Sequence, residues 1–227
     1  MRIGIIAAMS KELNLLLPLM EGKSSSTVNG FDFHCGTIAG REVVAMQCGI
    51  GKVNAAIGCM TLIDRFTPDM IINTGVAGGT GAGARVLDIV VADRIGYHDV
   101  WCGFDAPWGK AAACPRLFEA ESRFLSLPCL QNKSNIKRGL IASGDIFVDT
   151  PAEVSRILSI YPDAIAIDME SAALAHTCHR REVPFFCIRV VSDTPGAVDD
   201  NASQYADFWE DAPRQAFALL TDIINQL

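Results

Sequence analysis

Short apolar runs without polar alternation are the feature that most restricts how this chain can fold. Segments 70–72 (MII) and 89–92 (IVVA) place apolar residues at consecutive positions rather than at every second position. A strand with one face in water alternates apolar and polar residues, whereas a strand covered on both faces does not. Because these runs alternate with segments of helical periodicity, the sequence predicts an α/β fold, a three-layer α/β/α sandwich around a central sheet.

The predicted elements follow from where each apolar pattern begins and ends. Segments 31–38 and 42–47 predict a hairpin that turns at Gly40, and its antiparallel pairing makes the central sheet mixed. Ser10 is expected to cap the first helix. No repeat or linker interrupts residues 1–227, so a single domain is expected. The other predicted strands are 2–8, 69–73, 88–97, 139–143, 164–167 and 185–191, and later helices are predicted at 53–66, 151–160, 170–180 and 203–227.

Charge and hydropathy exclude several classes of partner. The formal net charge is -7, and no run of lysine and arginine occurs in the sequence. A surface for nucleic acid or for an anionic membrane is therefore not predicted. No segment approaches the ~20 consecutive apolar residues that a membrane-spanning helix requires.

The cysteine pattern indicates a reducing compartment. The eight cysteines are scattered, with no CxxC pair and no histidine–cysteine cluster at zinc spacing. Free thiols are expected, and no metal site is predicted. The apolar start, MRIGIIAAM, is too short for a secretory leader because Lys11 and Glu12 interrupt it. The predicted location is the cytoplasm.

Two stretches are candidates for ligand contact because of their place in the pattern. Residues 74–83 are rich in glycine and follow a buried strand, but they contain no lysine and lead into another strand rather than a helix. Neither a P-loop nor a dinucleotide fingerprint fits that context. The stretch is either a flexible turn or bare backbone that a ligand can approach closely. Residues 100–115 predict a long loop, and loops of that length are often functional.

Three acidic residues follow apolar strands. Glu12 lies about one helical turn beyond the first strand, Glu170 begins a helix after AIAIDM, and Asp193 ends the run FFCIRVVS. Such residues commonly cap helices, but two carboxylates with separated pKa values are also the minimum needed to hydrolyse a glycosidic bond. Arg189 lies within a buried run and is expected to pair with a neighbouring carboxylate.

Several sequence blocks together resemble the methylthioadenosine/S-adenosylhomocysteine nucleosidases, which belong to the superfamily of purine nucleoside and uridine phosphorylases. The resemblance implies a nucleoside phosphorylase-like fold and a homodimer without cofactor or metal. It also implies hydrolysis of 5′-methylthioadenosine and S-adenosylhomocysteine to adenine and a 5′-thio-ribose, with a role in methionine salvage. The blocks are RIGIIAAM followed by Glu12, CGIGKVNAA, MIINTGVAGG, DIVVAD with YHD, GLIASGDIFV, AIAIDMESAALAHTC and VPFFCIRVVSD.

The resemblance assigns roles to individual residues. Asp193 is the expected acid that protonates adenine N7, and Glu12 is the expected base for the attacking water. Ser192 would orient Asp193, while Arg189 would hold Glu12, Glu170 or the water in place. The remaining implied substrate contacts are Met169 and Glu170 at the ribose, Phe147 and Val148 at adenine, Ala77 and Gly78 on the pocket floor, and Met9 and Ile50 beside the 5′ group.

Water is the expected nucleophile. Phosphorylases of the superfamily have an arginine and a serine around the glycine-rich stretch, where this chain has Asn73 and Val76. A site without that cation favours hydrolysis over phosphorolysis. The alternatives are a purine nucleoside phosphorylase, a futalosine-type hydrolase, or a nucleoside-binding protein without turnover.

Overall fold

A central mixed sheet organises the molecule. The computed structural model describes residues 1–195, 208–209 and 213–227. The strands run in the order β10-β6-β8-β9-β5-β1-β4-β3-β2, and β7 pairs with β6 at the side. Their bounds are β1 Arg2–Ala7, β2 Glu21–Val28, β3 Phe31–Ile38, β4 Arg41–Gln47, β5 Met70–Gly79, β6 Ile89–Tyr97, β7 Leu117–Glu119, β8 Ile136–Ser143, β9 Ala164–Asp168 and β10 Phe185–Asp193.

Helices cover both faces of this sheet. They are α1 Ser10–Leu16, α2 Lys52–Phe66, α3 Ser122–Leu125, α4 Pro151–Ile160, α5 Ser171–Arg181 and α6 Pro213–Gln226. Strand β1 has buried apolar side chains on both faces, so a layer of helices is needed on each side. Its Ile5 packs in one core with Leu16 of α1 and Ile223 of α6. Its Ile6 packs in another core with Leu62 of α2 and Leu174 of α5. The predicted three-layer α/β fold with a mixed sheet is confirmed.

One half of the sheet closes into a ring, which the sequence did not predict. Strand β10 pairs with β5 in parallel and with β6 in antiparallel orientation. Because β6, β8, β9 and β5 are themselves connected in that order, the five strands close on one another. Strands β1, β4, β3 and β2 extend outward from β5. Closure depends on pairing between distant segments, which local periodicity does not report.

The ends of the strands determine where a ligand can lie. Strands β1, β4 and β10 are connected through parallel pairing to one another and to β5, so their carboxyl ends share one edge. Strand β9 meets β5 in antiparallel orientation through Gly78 and Ile167, near the carboxyl ends of both strands. This brings the segments that follow β8 and β9 to the same edge. Ligands in α/β proteins bind at such junctions.

Several local predictions are confirmed and others are corrected. The hairpin forms as predicted, and Ala39 and Gly40 at its turn have φ of 50° and 74°. Strand β2 was missed because its exposed sequence, EGKSSSTV, lacks an apolar face. Ser10 does not cap α1; it is the first helical residue and Met9 is the N-cap. The long helix predicted over 203–227 is described only in part, as helical residues at 208–209 and as α6.

Residues 98–116 contain no helix or strand, as expected for a long loop between β6 and β7. The glycine-rich stretch is not mainly a turn, because β5 continues through Gly79. Within the described ranges, every helix is too short or too polar to cross a bilayer. All eight cysteines are free thiols.

Candidate active site

A single cleft at the carboxyl edge of the sheet collects the predicted site residues. It encloses about 650 Å³, including its open mouth. Every residue predicted to contact substrate lines this cleft, with the exception of Arg189, which lies behind it. The lining residues are Ala8, Met9, Glu12, Ile50, Val76, Ala77, Gly78, Ile146, Phe147, Val148, Ile167, Asp168, Met169, Glu170, Ser192, Asp193 and Pro195.

Glu12 is held by backbone amides at the junction of β1, α1 and β5. Its Oε2 accepts hydrogen bonds from the backbone N–H groups of Ala8 and Met9, both at 2.9 Å. Its Oε1 accepts one from Val76 N–H at 3.0 Å. Burial raises the pKa of the Glu12 carboxyl, and the charge of Arg189 and these amides lower it by less. The result is a fixed carboxyl with a raised pKa, which suits a general base that works near neutral pH.

Gly75 provides the space that Glu12 occupies. It lies in β5 with φ of 154°, and a Cβ placed on it would collide with Glu12 Oε1. The same Cβ would lie 2.7 Å from Arg189 Nη1. The side chains of Glu12 and Arg189 therefore both lie against Gly75. A residue with any side chain at this position would displace one or both of them.

Arg189 is a fully buried cation beneath the cleft. Its Nε and Nη2 both lie 2.8 Å from Asp168 Oδ2, and Nη2 donates to Asn73 Oδ1 at 2.6 Å. Nη2 also lies 3.8 Å from Glu170 Oε2. Burial lowers the pKa of the guanidinium, but Asp168 and Glu170 more than offset this, so the pKa stays above its ordinary value. Arg189 thus remains charged and compensates the carboxylates around it.

Asp168 also lines the cleft, although it was not among the predicted site residues. Its Oδ1 accepts hydrogen bonds from the backbone N–H and the hydroxyl of Ser171, while Oδ2 contacts Arg189. It therefore links the first turn of α5 to the buried cation. The sequence signal was weak, because an acid two residues before Glu170 resembles an ordinary helix-start acid.

Glu170 is the N-cap residue of α5 and lies in the cleft. Its Oε1 accepts a hydrogen bond from Gly51 N–H, just before α2, at 2.9 Å. Burial and the neighbouring Asp168 raise the pKa of this carboxyl to about 7, although Arg189 lowers it. The structure therefore places a second carboxyl with a raised pKa in the same cleft as Glu12.

Asp193 terminates β10 on the wall of the cleft and is only 3% exposed. The Ser192 hydroxyl donates to Asp193 Oδ1 at 2.5 Å, which fixes the orientation of the carboxyl group. This burial is consistent with the apolar run FFCIRVVS that precedes Asp193. The carboxyl faces the same space as Glu12 and Glu170.

The remaining lining residues are mostly apolar. Phe147 is 54% exposed at the mouth, and Val148 is buried beside it, in the segment that follows β8. Ile50, at 52% exposure, lies on another part of the mouth. By the family resemblance, Tyr205 or Phe208 could supply an aromatic lid over the 5′ group. Tyr205 is outside the described residues, and Phe208 is buried and not part of the described lining.

The cleft is rich in carboxylates and lacks cations on its described lining. Four of the described lining residues are acidic, and none is lysine, arginine or histidine. The side chain of Asn73 is already engaged, since its amide donates to Ile6 O at 2.9 Å and its oxygen accepts from Arg189. Among the described residues, no cluster of His, Cys, Asp and Glu could hold a metal ion. The acidic residues on the lining repel an anion such as phosphate.

Comparison with known proteins agrees with this geometry. The family profile described as Phosphorylase superfamily matches residues 2–225. The structure of the methylthioadenosine/S-adenosylhomocysteine nucleosidase of S. pneumoniae with the transition-state inhibitor MT-ImmA superimposes with a TM-score of 0.94 at 36% identity, over 100% of this chain and 99% of that chain. The corresponding nucleosidase of Colwellia psychrerythraea 34H in complex with adenine gives 0.93 and 35%, over 100% and 96%.

A second group of relatives is more distant. The futalosine hydrolase of Helicobacter pylori strain 26695 has a TM-score of 0.92 at 27% identity, over 100% of this chain and 98% of that chain. Fold and site together define a protein of the phosphorylase superfamily. Within that superfamily, the chain belongs to the methylthioadenosine/S-adenosylhomocysteine nucleosidase family.

Proposed function

We propose that this protein hydrolyses the N-glycosidic bond of 5′-methylthioadenosine and S-adenosylhomocysteine, releasing adenine and the 5′-thio-ribose. The observation that carries the proposal is the cleft that contains Glu12, Glu170 and Asp193 without a lysine or arginine on its described lining. Full-length similarity to nucleosidases with bound adenine and a transition-state inhibitor supports the choice of substrate. Residues 1–227 act as one catalytic domain that uses no cofactor or metal.

Asp193 is the proposed acid that activates the leaving group. Its proton is transferred to adenine N7 as the bond between C1′ and N9 breaks, so that the bonding electron pair leaves with a neutral base. Ser192 keeps the carboxyl in one orientation through its hydrogen bond to Oδ1. A positioned general acid typically contributes about 10²–10⁴-fold to the rate.

Glu12 is the proposed base. It accepts a proton from the water whose oxygen forms the new bond to C1′. Its raised pKa allows it to hold this proton, and its three amide contacts fix its position. The positive charge that develops on the ribose ring in the transition state is stabilised by the carboxylates around it. Arg189 limits the mutual repulsion of those carboxylates from beneath the cleft.

Glu170 and the apolar lining provide the proposed substrate contacts. Glu170 accepts hydrogen bonds from the ribose hydroxyls, and Met169 packs against the sugar. The other proposed contacts are Phe147 stacking on adenine, the Val148 backbone at the edge of the base, Ala77 and Gly78 on the floor, and Met9 and Ile50 beside the 5′ substituent.

A homodimer is the proposed assembly, because large apolar side chains are exposed on α2 and in the loop after β6. On α2, Val53 and Ile57 are 67% and 52% exposed. In the loop after β6, Phe104 is 99% exposed and contacts Trp101, which stacks on Trp108. Exposed apolar patches of this kind mark interaction surfaces. Light scattering at micromolar concentration should give twice the chain mass of 24.4 kDa; a monomer would contradict the assembly. The free thiols support a cytoplasmic location.

The experiment that tests the proposed function is a substrate comparison in phosphate-free buffer. We expect kcat/KM for methylthioadenosine and S-adenosylhomocysteine to exceed that for futalosine and for inosine by at least about 100-fold, since a site that recognises polar groups rejects analogues strongly. A preference for futalosine would favour the function of the more distant relatives. Adenine binding without cleavage of any of these nucleosides would indicate a binding protein.

A further inference from the structure

An ion-paired cluster lies beside the cleft without lining its described surface. Lys52 Nζ donates to Asp99 Oδ2 at 2.6 Å, and the backbone N–H of Asp145 donates to the same oxygen at 2.8 Å. The backbone N–H of Lys52 donates to Asp145 Oδ1 at 2.7 Å. These three residues, here called the Lys52 cluster, are absent from the described lining. The catalytic scheme above gives them no role.

The Lys52 cluster joins two segments that form different walls of the cleft. Residues 49–52 contain Ile50 and the Gly51 N–H that donates to Glu170. Residues 144–148 contain Phe147 and other lining residues. The first segment follows β4 and the second follows β8, which are far apart in the sheet order. The hydrogen bonds of the cluster therefore connect the ribose side of the cleft with its base side.

The ion pair is shielded enough to matter energetically. The side chains of Lys52 and Asp99 are 24% and 14% exposed. The ammonium group also lies 5.6 Å from the centroid of the Tyr97 ring, a distance that allows a cation–π attraction. Partly buried pairs are screened by salt much less than exposed ones. An ion pair in this setting can therefore fix the relative position of two loops.

The segment 144–148 begins in direct contact with Asp99. A Cβ placed on Gly144 would lie 2.7 Å from Asp99 Cγ and 2.6 Å from His98 Cε1. Only a residue without a side chain fits so close to these groups. Because of this close contact, a displaced Asp99 carboxylate would also displace the backbone that leads to Phe147.

We propose that Lys52 and Asp99 are positioning residues that hold segments 49–52 and 144–148 in a fixed relative position. Glu170 and Phe147 can then contact the same nucleoside at the same time. Neither residue touches the substrate; each acts through backbone that contacts it. The identity of the ligand rests on the proposed function, whereas the coupling of the two segments does not.

The coupling is tested by hydrogen–deuterium exchange of the unliganded protein. The Lys52→Met variant removes the ammonium group. Lys137→Met is the matched control, because the one hydrogen bond of Lys137 Nζ within the described residues is to the exposed Ser134 carbonyl. We expect faster exchange in both segments in Lys52→Met and in neither segment in the control. Unchanged exchange, or a change in one segment alone, would overturn the proposal. If Lys52→Met does not fold, Asp99→Asn gives the same test.

The effect on function is tested with the two variants and their combination. Lys52→Met and Asp99→Asn should each lower kcat/KM for methylthioadenosine about tenfold, within the range for residues in one ion-pair network. The double variant should be no worse than the more damaged single variant, and Lys52→Arg should recover most of the activity. Both single variants should still fold and unfold cooperatively. Effects that multiply to about 100-fold in the double variant would contradict action as one unit.

Failure of this inference can be separated from failure of the proposed function. A parental protein that does not cleave methylthioadenosine would refute the proposed function, while the exchange experiment would still decide whether the cluster couples the segments. A parental protein that cleaves the substrate, combined with variants of unchanged kcat/KM, would refute the positioning role alone.

Discussion

Replacing Arg189 by methionine should strongly destabilise the protein, because it removes the only positive charge that the described structure places among three buried carboxylates. Arg189 is 1% exposed and contacts Asp168 at 2.8 Å and Glu170 at 3.8 Å. Breaking a buried ion pair by removing one partner typically costs about 3–5 kcal/mol. At about 2–4 °C per kcal/mol for a chain of this size, we expect the melting temperature to fall by roughly 6–20 °C.

The matched control is Arg94→Met, which removes another strand arginine from an exposed pair. Arg94 contacts Asp163 at 2.8 Å, but their side chains are 35% and 55% exposed. Such pairs contribute about 0–1 kcal/mol. Urea denaturation of the parental protein and both variants measures the difference. A free energy of unfolding for Arg189→Met within about 1 kcal/mol of the parental value would refute the account of Arg189.

The same variant should change the pH dependence of activity in a defined direction. Burial already raises the pKa of Glu12 and Glu170, and the charge of Arg189 opposes that shift in both. Without Arg189 both pKa values rise further, so Glu12 is ionised only at higher pH. The acid limb of kcat/KM should therefore move to higher pH, since the proposed base must be ionised to act.

The pH dependence of stability follows from the same shifts. A carboxyl whose pKa is higher in the folded state binds protons more tightly there, so stability is greatest below its unfolded pKa and is lost as pH rises through its folded pKa. The destabilisation of Arg189→Met should thus be larger at pH 8 than at pH 5. An equal loss of stability at both pH values would mean that Arg189 does not stabilise the ionised form of these carboxyl groups.

Three further substitutions test the site. Asp193→Asn should lower kcat about 10²–10⁴-fold with the fold intact, because it removes the proposed acid; parental turnover would remove Asp193 from that role. Glu12→Gln should cause a loss of similar size, measured in single-turnover experiments, and retained activity would exclude it as the base. Gly75→Ala should lower both activity and melting temperature, because its Cβ would collide with Glu12 and approach Arg189. Gly30→Ala, at a turn with no atom within 4 Å of the added Cβ, is the matched control, and equal effects of the two substitutions would contradict the argument.

Part of this site could be predicted from local sequence. Glu12, Glu170 and Asp193 each follow an apolar strand, and the carboxyl ends of these strands meet at one edge. The pairing of Arg189 with a carboxylate was predicted because a cation in a buried strand needs a partner. Its main partner, Asp168, was not identified, since nothing in the local pattern distinguishes Asp168 from a helix-start acid.

Other features depend on contacts between distant segments. The closure of β10 onto both β5 and β6 and the space that Gly75 leaves for Glu12 appear only in three dimensions. The roles of Met9, Ile50 and Phe147 came from resemblance to a family, because an apolar residue in a loop has no signature of its own. The structure brings all three to the cleft, but their roles stay predictions.

We propose that this carboxylate-lined cleft, which has no cation on its described lining, uses water rather than phosphate as the nucleophile. The most direct test is to incubate the purified protein with methylthioadenosine, with and without millimolar phosphate, and to separate the products by chromatography. We expect adenine and free methylthioribose at the same rate in both buffers. Adenine released only with phosphate, together with methylthioribose 1-phosphate, would contradict this proposal.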